Sequence, residues 1–291
     1  YTGTSIKDMY DESNSYVYIA YHKNKSGWSF PKWHGIDTVC VDETDFSSLD
    51  DSNHNSQGLL FTLNENAATA TVGNNSDTSC NSEYAGGKMV NVVIPDIVTK
   101  NGKEYRVIRI GKNAFSGNIK IPSITIGKNV SSIEVTAFEN CSNFKKFNVV
   151  SDNLHYSDNE GVLYDRTMSY LYIYPEGIEK NSFEVPLTVK TIGSYAFENA
   201  KKLEDVYVGT NVLSIGKYAF YGCSGLRSLT LPFIGGDADG TTGISYIFNN
   251  NRSYNSDLKG YMYELSGKEL KTITILSDTL PSGAFEGCIN L

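Results

Sequence analysis

Apolar residues recur at a fixed spacing through the second half of the chain. The segment SIGKYAFYGCSGLRSLTLP, residues 214–232, repeats the segment TIGSYAFENAKKLEDVYV, residues 191–208, at an offset of 23 positions. Looser copies surround the Ala-Phe pairs at Phe115, Phe138 and Phe285, and every copy has an apolar residue six positions after the Phe. A period of about 20–29 residues predicts a solenoid, because one such unit cannot bury its apolar face without stacking on its neighbours.

Each repeat begins with a short predicted strand. Its first, fourth and sixth positions are apolar, as in Leu203, Val206 and Val208. The last two of these alternate around an outward residue, which is typical of a strand with one buried face. Stacked units therefore predict one parallel sheet, and the IGxxAF segment predicts a helical or 3₁₀ turn that closes the core. The fold class that follows is a strand-rich α/β solenoid with repeats of about 23 residues.

The pattern divides the chain into three parts. Residues 1–57 lack the repeat, residues 58–88 predict a β-hairpin that leads into or caps the array, and residues 89–291 form the predicted solenoid. The repeat spacing is interrupted at about 150–176 and 233–265, where we expect β-hairpin insertions. Insertions in solenoids map to loops and often carry recognition.

Repeat phase also predicts which residues of the parallel sheet face outward. One column holds Asn91, Ser123, Lys146, Ser182, Asp205, Ser228 and Thr272, and the next holds Val93, Thr125, Asn148, Glu184, Tyr207, Thr230 and Thr274. Half of these residues are Ser or Thr, and one, Tyr207, is aromatic. We interpret it mainly as a polar ladder that keeps the sheet soluble, since binding faces are usually anchored by Tyr, Trp or Arg.

Candidate anchors for a partner are aromatic residues outside the conserved apolar slots. They are Tyr164, Tyr170, Tyr172, Tyr207, Tyr246, Tyr254, Tyr261, Trp28 and Trp33. Strand alternation implies that about half of the insertion tyrosines belong to the core instead. The two tryptophans flank Pro31 and predict either a sugar-stacking site or a local hydrophobic plug.

The cysteines favour packing over chemistry. Cys141, Cys223 and Cys288 each lie three residues after the repeat Phe, where other copies have Asn118 and Ala200. A position that accepts Cys, Ala and Asn is a small buried slot. In a secreted protein Cys40 and Cys80 could form a disulfide, which the sequence leaves open.

Charge and motifs exclude several classes of function. The net charge of −8 disfavours nucleic acid and anionic membranes as partners, and no apolar run is long enough to span a bilayer. The four histidines lack metal-ligand spacing, and no P-loop, GxSxG or dinucleotide motif occurs, so we predict no enzyme, cofactor or metal. The DADG segment, residues 237–240, is explained by a tight turn as well as by a calcium loop. A pair of catalytic carboxylates stays open, because acidic residues are plentiful.

The repeat resembles the BspA-like leucine-rich repeats of bacterial and protozoan surface proteins. The resemblance rests on the IGxxAFxxCxxLxxLxLP pattern, on the insertion GVLYDRTMSYLYIYPEG and on the lead-in from FTLNENAATATV to YRVIRIGKNAF, and it covers residues 58–291. It implies a right-handed leucine-rich repeat coil on a secreted or surface-attached, non-enzymatic protein. Glu134 and Val135 depart from the pattern by replacing its Gly and the next residue, so we expect a different local geometry there.

The leading hypothesis is an adhesin-like protein, extracellular or on the cell surface, that binds host proteins, extracellular matrix, glycans or neighbouring cells. The alternatives are a carbohydrate-binding module and a structural spacer within a larger surface protein. Because Tyr1 is not Met, we expect a mature or trimmed chain; because Leu291 begins a repeat whose strand is absent, we expect either an unusual end of the parent protein or one piece of a longer array.

Overall fold

The structure of the protein is a computed structural model. It describes residues 47–49, 51, 53, 55, 58–73, 91–239, 242–248, 270–280, 282, 284 and 285, and the backbone of five further strands within residues 18–40 and 252–263. The first eleven strands are β1 (Tyr18–Tyr21), β2 (Lys32–Trp33), β3 (Ile36–Cys40), β4 (Phe61–Asn64), β5 (Thr69–Val72), β6 (Val92–Val93), β7 (Ile97–Lys100), β8 (Lys103–Ile110), β9 (Ser123–Ile126), β10 (Ser132–Ile133) and β11 (Lys146–Val149). The remaining eleven are β12 (Tyr156–Asn159), β13 (Val162–Asp165), β14 (Tyr170–Ile173), β15 (Ser182–Glu184), β16 (Thr191–Ile192), β17 (Asp205–Tyr207), β18 (Ser214–Ile215), β19 (Ser228–Leu231), β20 (Arg252–Asn255), β21 (Gly260–Tyr263) and β22 (Thr272–Ile275).

The predicted parallel strands form two ladders rather than one sheet. Strands β6, β9 and β11 make a three-stranded parallel sheet, and β15, β17, β19 and β22 make a four-stranded one. In the second sheet Asp205 pairs with Ser228, at the predicted offset of 23 positions. The first sheet ends at β11 because the tip of the β12–β13 hairpin covers it, and Phe147 donates its N–H to the carbonyl of Gly161 at 2.9 Å. A Cβ at Gly161 would lie 2.5 Å from Lys146 Cβ, so only glycine allows this approach.

The IGxxAF segments contain more strand and less helix than predicted. Their Ile residues lie on short parallel strands, such as β16 paired with β18, and hydrogen-bonded turns follow. Among the described residues the helices are one 3₁₀ helix, Val135–Phe138, and one four-residue helix, α1 (Ser245–Phe248). The helical contribution expected for an α/β fold is therefore wrong. The 3₁₀ helix does form where Glu134 replaces the repeat Gly, which confirms the expected local departure; the Glu134 carboxylate accepts a hydrogen bond from Arg109.

Backbone hydrogen bonds join the Ala-Phe turns of neighbouring repeats. The N–H groups of Tyr195, Phe197 and Asn199 donate to the carbonyls of Lys217, Ala219 and Tyr221 at 3.3, 2.8 and 2.8 Å, respectively. The Phe197 and Phe220 rings stack with centroids 5.0 Å apart. Both flanking Ala residues are fully buried, since the adjacent repeat leaves no room for a larger side chain.

The first insertion separates two hydrophobic cores. Strand β13 is buried on both faces: Val162 and Tyr164 belong to the C-terminal core and Leu163 belongs to the N-terminal core. Strand β14 extends the same sheet and pairs in parallel with β16. The insertion predicted at about 150–176 is thus an internal wall of the array.

Asparagines connect the loops that follow the strands. Asn153 is fully buried, and its Nδ2 donates to the carbonyls of Gly127 and Val130 at 2.8 and 3.0 Å. Its Oδ1 accepts from the N–H groups of His155 and Tyr156 at 2.8 and 2.9 Å. Asn129 and Asn211 make the corresponding donor bonds to the preceding repeat. These amides satisfy backbone carbonyls that strand pairing leaves unpaired.

The remaining sheets are antiparallel or mixed. Strands β4 and β5 form the predicted hairpin, and β5 pairs with β8, which also pairs with β7 and β10. Strands β1, β3 and β2 form a three-stranded sheet near the N-terminus. Strands β20 and β21 form a hairpin within the predicted second insertion.

Candidate partner-binding surfaces

The outer face of the four-stranded parallel sheet presents one exposed aromatic side chain. Tyr207 pairs with Glu184 and Thr230, and Thr230 pairs with Thr274, so these four form one register row, the Tyr207 row. Tyr207 is 43% exposed. The row follows the outward column predicted from repeat phase. In the first sheet Ser123 departs from that prediction, because it is buried and donates a hydrogen bond to Asn91 Oδ1 at 2.6 Å.

Tyr164, predicted as a candidate anchor, lies in the core. Its side chain is fully buried, and burial raises the pKa of its hydroxyl, with smaller contributions from Glu160 and Tyr174. It cannot contact a partner, because both faces of β13 are covered. This prediction was wrong for a physical reason: alternation along a strand does not show whether the second face is also packed.

Two further predicted tyrosines, Tyr170 and Tyr172, are half-buried on β14, in the insertion that forms the internal wall of the array. The rings of Tyr170 and Tyr172 lie 4.5 Å apart, and Tyr172 also contacts Tyr156 edge-on at 5.3 Å. The Tyr170 ring lies against Gly193, where a Cβ would come within 3.0 Å of it. Both tyrosines thus hold the hairpin against neighbouring segments while keeping part of each ring exposed.

The other predicted residues divide between the second insertion and the N-terminal region. Tyr246 is half-buried against the C-terminal core, with its ring close to Gly236. Tyr254 and Tyr261 pair across the β20–β21 hairpin. Their side chains, that of Trp33, and Trp28 as a whole lie outside the described residues. The suggested pairing of Cys40 with Cys80 and the slot of Cys288 also lie there.

A second aromatic surface was not predicted. The rings of Tyr195, Tyr218 and Tyr221 contact one another, with centroids 5.4 Å apart for Tyr195 and Tyr218 and 6.3 Å for each of the other two pairs. Tyr195 and Tyr221 are each 36% exposed. We call this group the tyrosine cluster. The hydrogen bonds between the Ala-Phe turns hold its members side by side on adjacent repeats.

Two members of the tyrosine cluster occupy an unfavourable backbone conformation. Tyr195 and Tyr218 have φ values of 59° and 60°, in the left-handed region. The equivalent residue of an earlier repeat is Asn113, with φ 55°. A left-handed conformation costs a residue with a large side chain about 1–2 kcal/mol, whereas Asn tolerates it better because its amide bonds locally. The fold therefore does not need tyrosine at this position.

Carboxylates surround the tyrosine cluster. Burial, together with the negative charges of Glu139 and Glu176, raises the pKa of Glu198 to about 7. Burial also raises the pKa of the Tyr195 hydroxyl, with smaller contributions from Tyr218, Glu198 and Glu139. An amide contact of 3.4 Å between Asn199 Nδ2 and Asn140 Oδ1 sets the two Glu-Asn segments side by side.

A cation already lies on the tyrosine cluster. The ammonium of Lys217 is 4.7 Å from the centroid of the Tyr218 ring, within the range of a cation–π interaction. The sequence did contain a signal for this surface, because the residue before the Ala-Phe pair is Tyr in two consecutive repeats, at Tyr195 and Tyr218. This signal is easily masked, because the Ala and Phe of the same motif are accounted for by core packing.

The buried thiols confirm the predicted packing slot. Cys141 and Cys223 are free and buried, and each Sγ donates to a carbonyl of the preceding Ala-Phe turn, Phe115 or Phe197, at 3.0 Å. Burial raises the pKa of both thiols to about 12. Such thiols are poor nucleophiles and poor metal ligands.

Two further carboxylates, Glu65 and Asp165, are each held by several hydrogen-bond donors. A groove of about 690 Å³ lies beside β4, and in it the Glu65 carboxylate accepts from Tyr105 and Lys103 at 2.7 Å. Asp165 caps the β13–β14 turn by accepting from Thr167, Ser169 and the Tyr170 N–H. No group of His, Cys, Asp and Glu in the described part of the chain is arranged to hold a metal ion. Within that part, no helix has the length and apolar character of a membrane span.

Comparison with known families identifies the repeat. A profile of the BspA type leucine rich repeat region matches residues 81–162 and 172–291 in six copies, which is more than half of the chain. The chain belongs to the BspA type leucine-rich repeat family. The gap in the match, residues 163–171, covers most of β13, the turn that follows it and the start of β14.

Solved leucine-rich repeat structures from bacteria are distant from this BspA type chain. A protein from Bacteroides ovatus is 20% identical, with a TM-score of 0.42 over 75% of this chain and 51% of that one. A protein from Eubacterium ventriosum is 20% identical, with a TM-score of 0.39 over 66% and 68%. A leucine rich cell surface protein from Faecalibacterium prausnitzii is 15% identical, with a TM-score of 0.34 over 79% and 94%. No curated protein matched the sequence.

Proposed function

We propose that this BspA type protein is secreted or attached to the cell surface and acts by binding, without catalysis, an extracellular protein of a host, of the matrix or of a neighbouring cell. The observation that carries the proposal is the exposed Tyr207 on the outer face of the parallel sheet. Family membership supports the extracellular location, and the mutual satisfaction of the polar groups in the described groove supports a non-catalytic role.

The Tyr207 row is suited to binding because the fold does not require its aromatic residue. Its neighbours in register are Glu184 and Thr230, and Thr274 occupies the same position on the last strand of the sheet. A half-exposed Tyr offers a large rigid surface with a polar tip, the type of side chain that dominates binding energy at protein interfaces. Exposed Asp205 and Glu184 flank it, which favours a partner with a basic or polar rim.

We also infer that the two parallel sheets belong to one right-handed coil. Repeat offsets of 23 positions support this in both sheets, for Ser123 with Lys146 and for Asp205 with Ser228. Parallel crossover connections are right-handed in almost every known case.

The proposal is tested by binding of the purified chain to an immobilised panel of matrix proteins, mucins and glycans. We expect a protein ligand whose affinity falls at least fivefold in Tyr207→Ser, which supplies the residue type of the surrounding ladder. Thr230→Ser is the matched control in the same row and should bind as the wild type does. A panel without a protein ligand, or equal binding by Tyr207→Ser, would overturn the proposal.

A further inference from the structure

We propose that the tyrosine cluster is a binding site for a cationic side chain, lysine or arginine, presented by a basic segment of a protein. This inference rests on the proposed function in one respect: it takes the partner to be a protein. It concerns the Ala-Phe turns of the repeat, whereas the Tyr207 row lies on the strands.

The geometry of the cluster suits a cation. Three rings from two adjacent repeats lie within 6.3 Å of one another, and two of them are substantially exposed. Aromatic faces attract a cation that approaches within about 6 Å of the centroid, and several rings around one cation act together. The hydrogen-bonded turns hold the rings in place before binding, which limits the entropy lost when a partner docks.

Charge distinguishes a cationic ligand from a neutral sugar. Carboxylates at Glu198 and Glu139 act electrostatically on Tyr195, so a positive group at the cluster would gain both ring and carboxylate attraction. Lys217 already uses one ring face, which demonstrates that an ammonium fits there. We infer that a partner cation displaces Lys217 or contacts the exposed parts of the Tyr195 and Tyr221 rings.

Backbone strain indicates why the tyrosines are present. Tyr195 and Tyr218 adopt the same left-handed conformation as Asn113, which fills this position with a residue better suited to it. A strained residue that packing does not require points to a function. Asn at both positions should preserve the turn and remove the rings.

The test uses fluorescently labelled lysine-glycine, arginine-glycine and glutamate-glycine peptides, a neutral polysaccharide, and fluorescence anisotropy at pH 8 and two salt concentrations. We expect the wild type to bind the lysine and arginine peptides only. The double variant Tyr195→Asn/Tyr218→Asn should lose about tenfold in affinity, as expected for the loss of two partly desolvated ring contacts. Unchanged affinity in this variant, or binding of the polysaccharide alone, would overturn the proposal.

Lys217 gives a second, opposite test. Lys217→Gln should strengthen binding of the lysine peptide, because it frees the Tyr218 ring and removes a repelling charge. Lys190→Gln is the matched control: it removes the same charge at an exposed position in the loop between β15 and β16. An equal gain in both variants would mean that net charge alone attracts the peptide and would contradict a specific site.

Further controls distinguish loss of the cluster from misfolding, and this inference from the proposed role of Tyr207. Each variant should keep the wild-type far-UV circular dichroism spectrum and a urea midpoint no lower than that of the wild type, and Tyr221→Ser should weaken peptide binding without the backbone change at Tyr195 and Tyr218. Tyr207→Ser should leave lysine-peptide binding unchanged. If a panel ligand depends on Tyr207 while no basic peptide binds, this inference alone fails; if basic peptides bind the cluster and no panel ligand exists, only the proposed function fails.

Discussion

Replacing the buried amide of Asn153 should strongly destabilise the array. Asn153 is fully buried and makes four hydrogen bonds, two to carbonyls of the preceding repeat and two from N–H groups of its own loop. Each such bond contributes about 1 kcal/mol net, and a buried polar group left unpaired costs about 1–3 kcal/mol. Asn153→Ala should therefore lower the free energy of unfolding by about 4 kcal/mol.

The matched control is Asn211→Ala at the corresponding loop of a later repeat. Its Nδ2 donates to Pro186 and Val189 at 3.3 and 2.8 Å, and the residue is only half-buried. We expect a loss of about 1–2 kcal/mol, because solvent can replace part of these bonds. The two variants can be compared directly, because Asn→Ala removes the same side-chain atoms at both positions.

Both free energies come from urea unfolding followed by far-UV circular dichroism. The slope against urea should stay constant between wild type and variants, so that a change in midpoint reports stability. A loss below about 1 kcal/mol for Asn153→Ala, or a loss smaller than that of Asn211→Ala, would refute the role assigned to the buried amide.

Three further predictions concern single residues. Because the folded-state pKa of Glu198 is raised to about 7, ionisation of this carboxyl destabilises the folded protein. The free energy of unfolding should therefore fall as the pH rises from about 5 to 8. Glu198→Gln should remove this pH dependence and raise the free energy of unfolding at pH 8 by about 1–2 kcal/mol, a value reduced for a partly solvated group. Cys141 and Cys223 should resist iodoacetamide at pH 8 in the folded protein and react in urea, as followed by mass spectrometry; equal reaction rates would contradict their burial. Gly222→Ala should lower the urea midpoint more than Gly117→Ala, since both have positive φ but only at Gly222 would a Cβ collide with the neighbouring repeat; equal losses would mean that strain alone acts.

Most of the repeat geometry could be predicted because it follows from periodicity. The offset of 23 positions and the outward columns reappear in the register of Asp205 with Ser228, and the small slot after the repeat Phe is confirmed by Cys141 and Cys223. These features depend on contacts between equivalent residues of identical units. A sequence pattern records such contacts directly.

Features that depend on non-equivalent contacts escaped prediction. Leu163 and Tyr164 are both buried because β13 lies between two cores, which strand alternation does not reveal. Asn153 follows the sixth-position apolar residue of its repeat, Val149, by four positions, whereas Asn211 follows Val208 by three, so their shared role was hidden. The exposed rings of the tyrosine cluster come together only through the stacking of adjacent turns.

We propose that the exposed tyrosines on the C-terminal repeats serve binding and are not required for folding. The decisive measurement is the affinity of a partner identified on the panel for a variant carrying Tyr195→Asn, Tyr207→Thr, Tyr218→Asn and Tyr221→Ser, each taken from an equivalent position of this chain. We predict at least a tenfold loss of affinity with no loss of unfolding free energy. Wild-type affinity in this variant would contradict the account.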